Sequence, residues 1–176
     1  NLMVAWGTYQ AALERFPGSF GLQKAAGRLA VGLKRYDEAV TLLGGAGQRV
    51  TNDAELQHYL GLAYARHGDE GKGFRYILDG LNAERALIAA ECIGDGYWFI
   101  AKVTAYAKER VVFGRPIGQN QGVAFPIARA HVNVEAASLM RFKACELFDA
   151  QKPCGAEANM AKLLAADASW EAANAC

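Results

Sequence analysis

The stretch AYAKERVVFGRPIGQNQGVAFPIA, residues 105–128, decides how the second half of the chain folds. AYAKER closes a helical pattern, the segment from Phe113 to Gln121 interrupts it with Gly114, Pro116 and Gly118, and a second pattern resumes at Phe125. Upstream, Leu81, Ile88, Cys92, Phe99, Val103 and Tyr106 recur at helical spacings and predict one buried stripe on a helix over 81–110, about 45 Å long at 1.5 Å per residue. Downstream, Phe125, Ala128, Val132, Ala136, Leu139, Phe142 and Leu147 predict a second stripe, closed by Lys152-Pro153-Cys154-Gly155. A third helix is expected from Ala156 onward, still running at Cys176. Three long helices with short connections form most economically a partial antiparallel, up-down-up-down bundle, and three of four helices would leave a groove.

Before this bundle the texture differs. GKGFRYILDG, residues 71–80, predicts a short β-like segment at about 74–78 with a turn at Asp79-Gly80. Over the first 75 residues short amphipathic segments recur with a period of 34: Ala5, Ala39 and Gly73; Tyr9 and Leu43; Ala12 and Ala46; Gly27 and Gly61; Ala30 and Tyr64. The switch near residue 70 has no Pro, Ser or Gly-rich linker, so it reads as a fusion or as a joint between two unrelated pieces. The fold class expected is therefore all-α, with helical hairpins over 1–69 and a bundle over 70–176.

Composition narrows the function classes. Of 176 residues 52% are hydrophobic and 21% charged, with 19 basic against 18 acidic side chains, which is globular and leaves no basic stripe for nucleic acid or anionic membrane. No apolar run approaches a membrane span, and the first residues lack the regions of a signal peptide. Cys92, Cys145, Cys154 and Cys176 form no CxxC pair, and with His58, His67 and His131 they give no metal-ligand spacing. Reduced core thiols and a cytoplasmic location are expected. The chain begins without Met and ends inside a helical pattern, which predicts a piece of something longer.

Generic sites are sparse. Gly94-Asp95-Gly96 lacks the third glycine of a dinucleotide fingerprint, and Gly114 to Gly118 lacks the lysine and hydroxyl of a P-loop. No serine, histidine and acid combination or histidine pair suggests a nucleophile or metal centre.

Two resemblances add to this. YQAALERFP at 9–17, RYDEAVTLL at 35–43 and YLGLAYARHGD at 59–69 make residues 1–72 similar to tetratricopeptide repeats: one second helix, a complete repeat and the first helix of another. That implies a protein partner on the repeats, or a spacer, in an array too short to stand without neighbours. GFRYILDGLNAERALIAAECIGDGYWFIAK, AYAKERVVFGRPIGQNQGVAFPIA and PCGAEANMAKLLAADASWEAANAC make residues 70–176 resemble the C-terminal helical bundle of the acyl-CoA dehydrogenase family, ending before its last helix. The ordered combination ERxxFGxPIxxxQ is what a generic bundle would not show.

The second resemblance implies FAD as cofactor, an acyl-CoA substrate, a neighbouring subunit and a homo-oligomer. Arg110, Phe113 and Gln121 match positions that meet FAD, usually that of a neighbouring subunit: a guanidinium for pyrophosphate, an aromatic for the flat cofactor, an amide for its polar atoms. Arg110 alone would be an ordinary charge at a helix end. Leu81-Asn82-Ala83-Glu84-Arg85 fits the family variant that carries the catalytic glutamate in the first bundle helix, so Glu84 is the candidate general base, its charge desolvated in an apolar cleft. The alternative is a first-turn glutamate held by the helix dipole. Asn82 and Arg85 match positions that contact CoA. The family's N-terminal helical and central β domains do not precede the bundle here, so catalysis by these 176 residues alone is not expected.

Overall fold

The computed structural model describes residues 1–50 and 52–175. Its helices are α1 (Leu2–Arg15), α2 (Phe20–Gly32), α3 (Tyr36–Gly47), α4 (Ala54–His67), α5 (Glu70–Glu109), α6 (Gln121–Asp149) and α7 (Gly155–Ala175), with strands β1 (Val111–Val112) and β2 (Arg115–Pro116) and a 3-10 turn over Ile117–Gln119 between α5 and α6. The all-α expectation holds. Two compact units divide the chain, Asn1–Asn82 and the residues from Ala83 onward, and the division falls inside α5.

In the first unit the period of 34 is a packing period. A Cβ on Gly27 would lie 2.5 Å from the Leu43 side chain, and one on Gly61 would lie 2.7 Å from that of Ile77. Both members of this contact are displaced by 34 residues, so α4 and the start of α5 meet as α2 and α3 do. Gly73 completes the close approach, its Cβ position lying 2.8 Å from the Gly61 carbonyl oxygen. Only hydrogen fits at such crossings, and Leu43, Leu56 and Leu60 fill the space around them, essentially inaccessible with Trp6, Ala26, Ala30 and Ala39.

This packing corrects the expected β-like segment. Phe74 to Leu78 is helical, and Asp79-Gly80 is no turn. Phe, Tyr and Ile suit a strand by propensity, but Gly68 at φ +107° ends α4 and Asp69 starts α5, accepting from the Lys72 N–H at 3.0 Å. Ile77 then packs at the Gly61 crossing and Tyr76 stacks on Tyr64 with ring centroids 5.4 Å apart. Tertiary contacts override local preference.

The second unit is built on small residues. Ala89, Ile93, Val134, Ala137, Ala161, Ala165 and Ala168 form its core, and a Cβ on Gly96 would lie 2.7 Å from Val134. The helices are antiparallel neighbours, as expected, but both predicted stripes are corrected. Leu81, Ile88 and Tyr106 on α5 are exposed, as are Phe125, Ala128, Val132, Ala136, Leu139 and Phe142 on α6. Periodicity locates an apolar face but does not say which face meets a neighbour within the chain. Here alanine and glycine faces allow the closest helix approach, and the bulky faces are left outside. The expected stop after α6 holds, with Gln151 at φ +55° and the Lys152 N–H donating to the Leu147 carbonyl at 2.9 Å. Cys176 lies outside the described residues.

Candidate functional site

The end of α5 and the start of α6 are tied by a small rigid connection. Arg110 ends the α5 hydrogen bonding, its N–H donating to Tyr106 at 2.9 Å, and its carbonyl accepts from the Ile117 N–H at 2.9 Å. Val112 pairs with Arg115 and Val111 with Pro116, leaving Phe113 and Gly114 as a two-residue turn. Both have positive φ, +53° and +80°, as the type I′ turn of a short hairpin demands. Gly114 adopts this without strain. A bulky aromatic does not, since its Cβ opposes the left-handed region.

Phe113 is also fully exposed. A strained, solvated aromatic at a hairpin tip contributes nothing to the core, so it is the kind of outlier from which a functional role is inferred. Arg110 and Gln121 are exposed beside it in the chain, at the base of the hairpin and at the first residue of α6. The segment holding them is cationic: from Tyr97 to Val134 it carries Lys102, Lys108, Arg110, Arg115 and Arg129 against Glu109 alone. The connection thus joins an outward aromatic, a guanidinium, an amide and a helix N-terminus with no acidic residue in its first turn, a set suited to an anionic, flat ligand.

Behind the hairpin lies a cavity of about 620 Å³ with Ile100, Thr104, Ala107, Pro116, Ile127 and His131 in its wall. Gly118 holds the 3-10 turn against α5, its Cβ position 3.0 Å from the Ala107 carbonyl oxygen. Sequence reading missed this cavity, although Ile100, Thr104 and Ala107 share one face of α5 and Ala124, Ile127, Ala128 and His131 one face of α6.

The other candidates lie elsewhere. Glu84 is exposed on α5, and the helix carries it about 39 Å from Arg110 at 1.5 Å per residue. The chain does not bring Glu84 together with Arg110, Phe113 and Gln121, and Glu84 stands exposed rather than in the expected apolar cleft. Arg85 is half-buried and Asn82 buried at 7% exposure. Among the described residues no group of three His, Cys, Asp or Glu side chains could hold a metal ion, and no helix is long and apolar enough to cross a membrane.

The fold and this hairpin define a helical unit that presents a cationic, aromatic contact at the junction of two antiparallel helices. A family model described as acyl-CoA dehydrogenase, C-terminal domain, matches residues 71–176, and the chain belongs to that family. An acyl-CoA dehydrogenase of Bacillus subtilis is 42% identical over 106 residues, covering 60% of this chain and 28% of the relative. A probable short/branched chain specific acyl-CoA dehydrogenase of Dictyostelium discoideum is 35% identical over 62% of this chain and 26% of its own length. The caffeyl-CoA reductase-Etf complex subunit CarC of Acetobacterium woodii is 36% identical over 58% and 27%. The chain spans between a quarter and a third of the length of these relatives.

Proposed function

We propose that this chain supplies the flavin-contact hairpin and the proton-abstracting glutamate of an FAD-dependent acyl-CoA dehydrogenase, as separate contributions to different sites of an oligomer. The observation that carries this reading is Phe113, fully exposed at φ +53° on the hairpin tip, a conformation that finds its use when the ring packs on a flat partner. The residues fit FAD: Phe113 against its planar surface, Arg110 on pyrophosphate oxygens and Gln121 on polar atoms. When bound, FAD supplies the acceptor for the hydride leaving the β carbon of the acyl thioester, which no side chain can supply.

Glu84 would take the α proton on its carboxylate, giving the 2-enoyl product, with Arg85 on the CoA moiety. Burial makes Asn82 the weaker of the two CoA contacts. Glu84 is exposed on α5, so a cleft enclosing it would be completed by parts outside this chain. The distance along α5 from Glu84 to Arg110 supports a hairpin that serves a neighbouring subunit's flavin rather than the site of its own glutamate. The large exposed apolar residues of α6 support self-association, and the free thiols of Cys92 and Cys145 support a reducing, cytoplasmic setting.

A titration of FAD into the purified chain tests the reading. Binding that weakens about ten-fold in Arg110→Ala is expected, the scale of one charge-assisted contact, while dehydrogenation by these 176 residues alone is not. Absence of FAD binding at any concentration would remove the flavin role. In an enzyme completed by the family's remaining domains, Glu84→Gln should keep the flavin and abolish α-proton exchange; full exchange would exclude Glu84 as base.

A second reading, a protein-interaction module resembling tetratricopeptide repeats, is favoured by the groove between α1 and α3, where Trp6, Glu14, Asp37 and Glu38 meet in about 510 Å³. A basic peptide is the partner such a groove would take, and Asp37→Lys should abolish its capture; equal capture by the variant would count against this groove.

A further inference from the structure

We infer that Arg115, acting through Asn120, is the positioning residue of the flavin-contact hairpin; the inference rests on the flavin reading above. Among the described residues, four other helix starts receive a side-chain cap: Asn1 accepts from the Met3 N–H at 3.1 Å, Ser19 from Leu22 at 3.4 Å, Asp53 from Leu56 at 2.9 Å and Asp69 from Lys72 at 3.0 Å. Asparagine is as good a capping residue as these, yet Asn120 at the N-cap of α6 makes no such bond. Its carboxamide oxygen accepts instead from the Arg115 Nη2 at 2.6 Å. The usual local bond is forgone in favour of one that reaches back to the hairpin.

The geometry gives that exchange a purpose. Arg115 lies in β2, two residues from the strained Phe113 and opposite Val112, while Asn120 immediately precedes Gln121. Their bond spans the 3-10 turn and fixes the hairpin tip relative to the first turn of α6. The two ends of this bond therefore set the spacing of Phe113 and Arg110 on one side and Gln121 on the other. The backbone bonds from Ile117 to Arg110 and from Asn120 to Ile117, at 2.9 and 3.0 Å, hold the base of the loop but not its tip.

A double-mutant cycle on the full chain separates positioning from direct contact. FAD affinity is measured for the unaltered chain, Arg115→Ala, Asn120→Ala and the double variant, with Arg115→Lys as the conservative replacement and circular dichroism as the check on folding. Positioning predicts that each single variant weakens binding about five-fold, the scale of one exposed hydrogen bond to a charged group. It further predicts that the double variant is no worse than either single one and that lysine restores most of the affinity. Additive losses would make Arg115 a direct ligand of the cofactor, and unchanged affinity in Arg115→Ala would give it no part; either result overturns the inference.

The same four variants are read by amide hydrogen exchange at Val112 and Arg115, which requires no flavin. Equal, non-additive acceleration is expected in the singles and the double. Should the unaltered chain fail to bind FAD, this second cycle still decides: additive or absent effects refute the coupling, whereas non-additive ones leave the coupling standing and the flavin reading alone refuted.

Discussion

The two units of this chain build their cores from side chains of different size. From Asn1 to Asn82, Trp6, Leu43, Leu56 and Leu60 are buried, and ion pairs join α2 to the start of α4, Lys24 to Asp53 and Glu55 and Arg28 to Glu55. After Ala83 the buried positions are mostly alanine, while Phe125, Val132 and Leu139 on α6 and Trp170 on α7 are more than three-fifths exposed. The first unit buries bulky residues in its core while also exposing Val4, Phe16 and Phe74. The second packs its helices through alanine and leaves bulky faces at the surface of the chain, the kind of surface that favours association.

The comparison breaks first at equivalent leucines. Leu43→Ala, at a fully buried site beside Gly27, should cost about 3 kcal/mol of stability, read as a lower denaturation midpoint. Leu139→Ala, 71% exposed, should change stability by no more than about 0.5 kcal/mol while reducing self-association in sedimentation. Comparable destabilisation by both would mean that the two units are packed alike.

A smaller, pH-dependent difference sharpens the contrast. Hydrogen bonds from Lys24 and then Arg28 hold the Glu55 carboxyl below the usual carboxylate range. Burial opposes the charge on Lys24, but hydrogen bonds to Asp53 and Glu55 outweigh it and raise its pKa. The depressed carboxyl contributes stability above its ordinary pKa that is lost as pH falls through its folded value. The raised amine contributes stability below its ordinary value that is lost only at strongly alkaline pH. Acid unfolding followed by amide exchange should therefore loosen α2 and α4 before α6 and α7. The effect is modest because Glu55 is partly exposed, and Glu55→Gln should remove much of it; an unchanged order of loosening would assign the acid sensitivity to other groups.

Much of this architecture was legible in the residues, for identifiable reasons. A period of 34 is visible because the crossings at Gly27 and Gly61 each demand the same missing side chain, and ERxxFGxPIxxxQ is visible because its glycine and proline mark a turn. The β-like reading of 74–78 failed because Ile77 packs against a glycine sixteen residues upstream, which no local propensity contains. The stripes on α5 and α6 were located but assigned to the wrong side, since an apolar face looks the same whether its partner is in this chain or another. At the hairpin, residue identities pointed to Phe113 and Arg110, but the positive φ of Phe113 and the diversion of Asn120 from capping to Arg115 are properties of the folded backbone alone.

The most direct measurement is a paired one on Phe113→Asn, because asparagine accepts positive φ readily and has no aromatic face. If the phenylalanine is retained for contact with FAD, the variant should fold slightly more stably, by about 0.5 kcal/mol, and bind FAD about ten-fold more weakly than the unaltered chain. A variant that binds FAD as tightly as the unaltered chain, or an unaltered chain that binds none, would contradict the account.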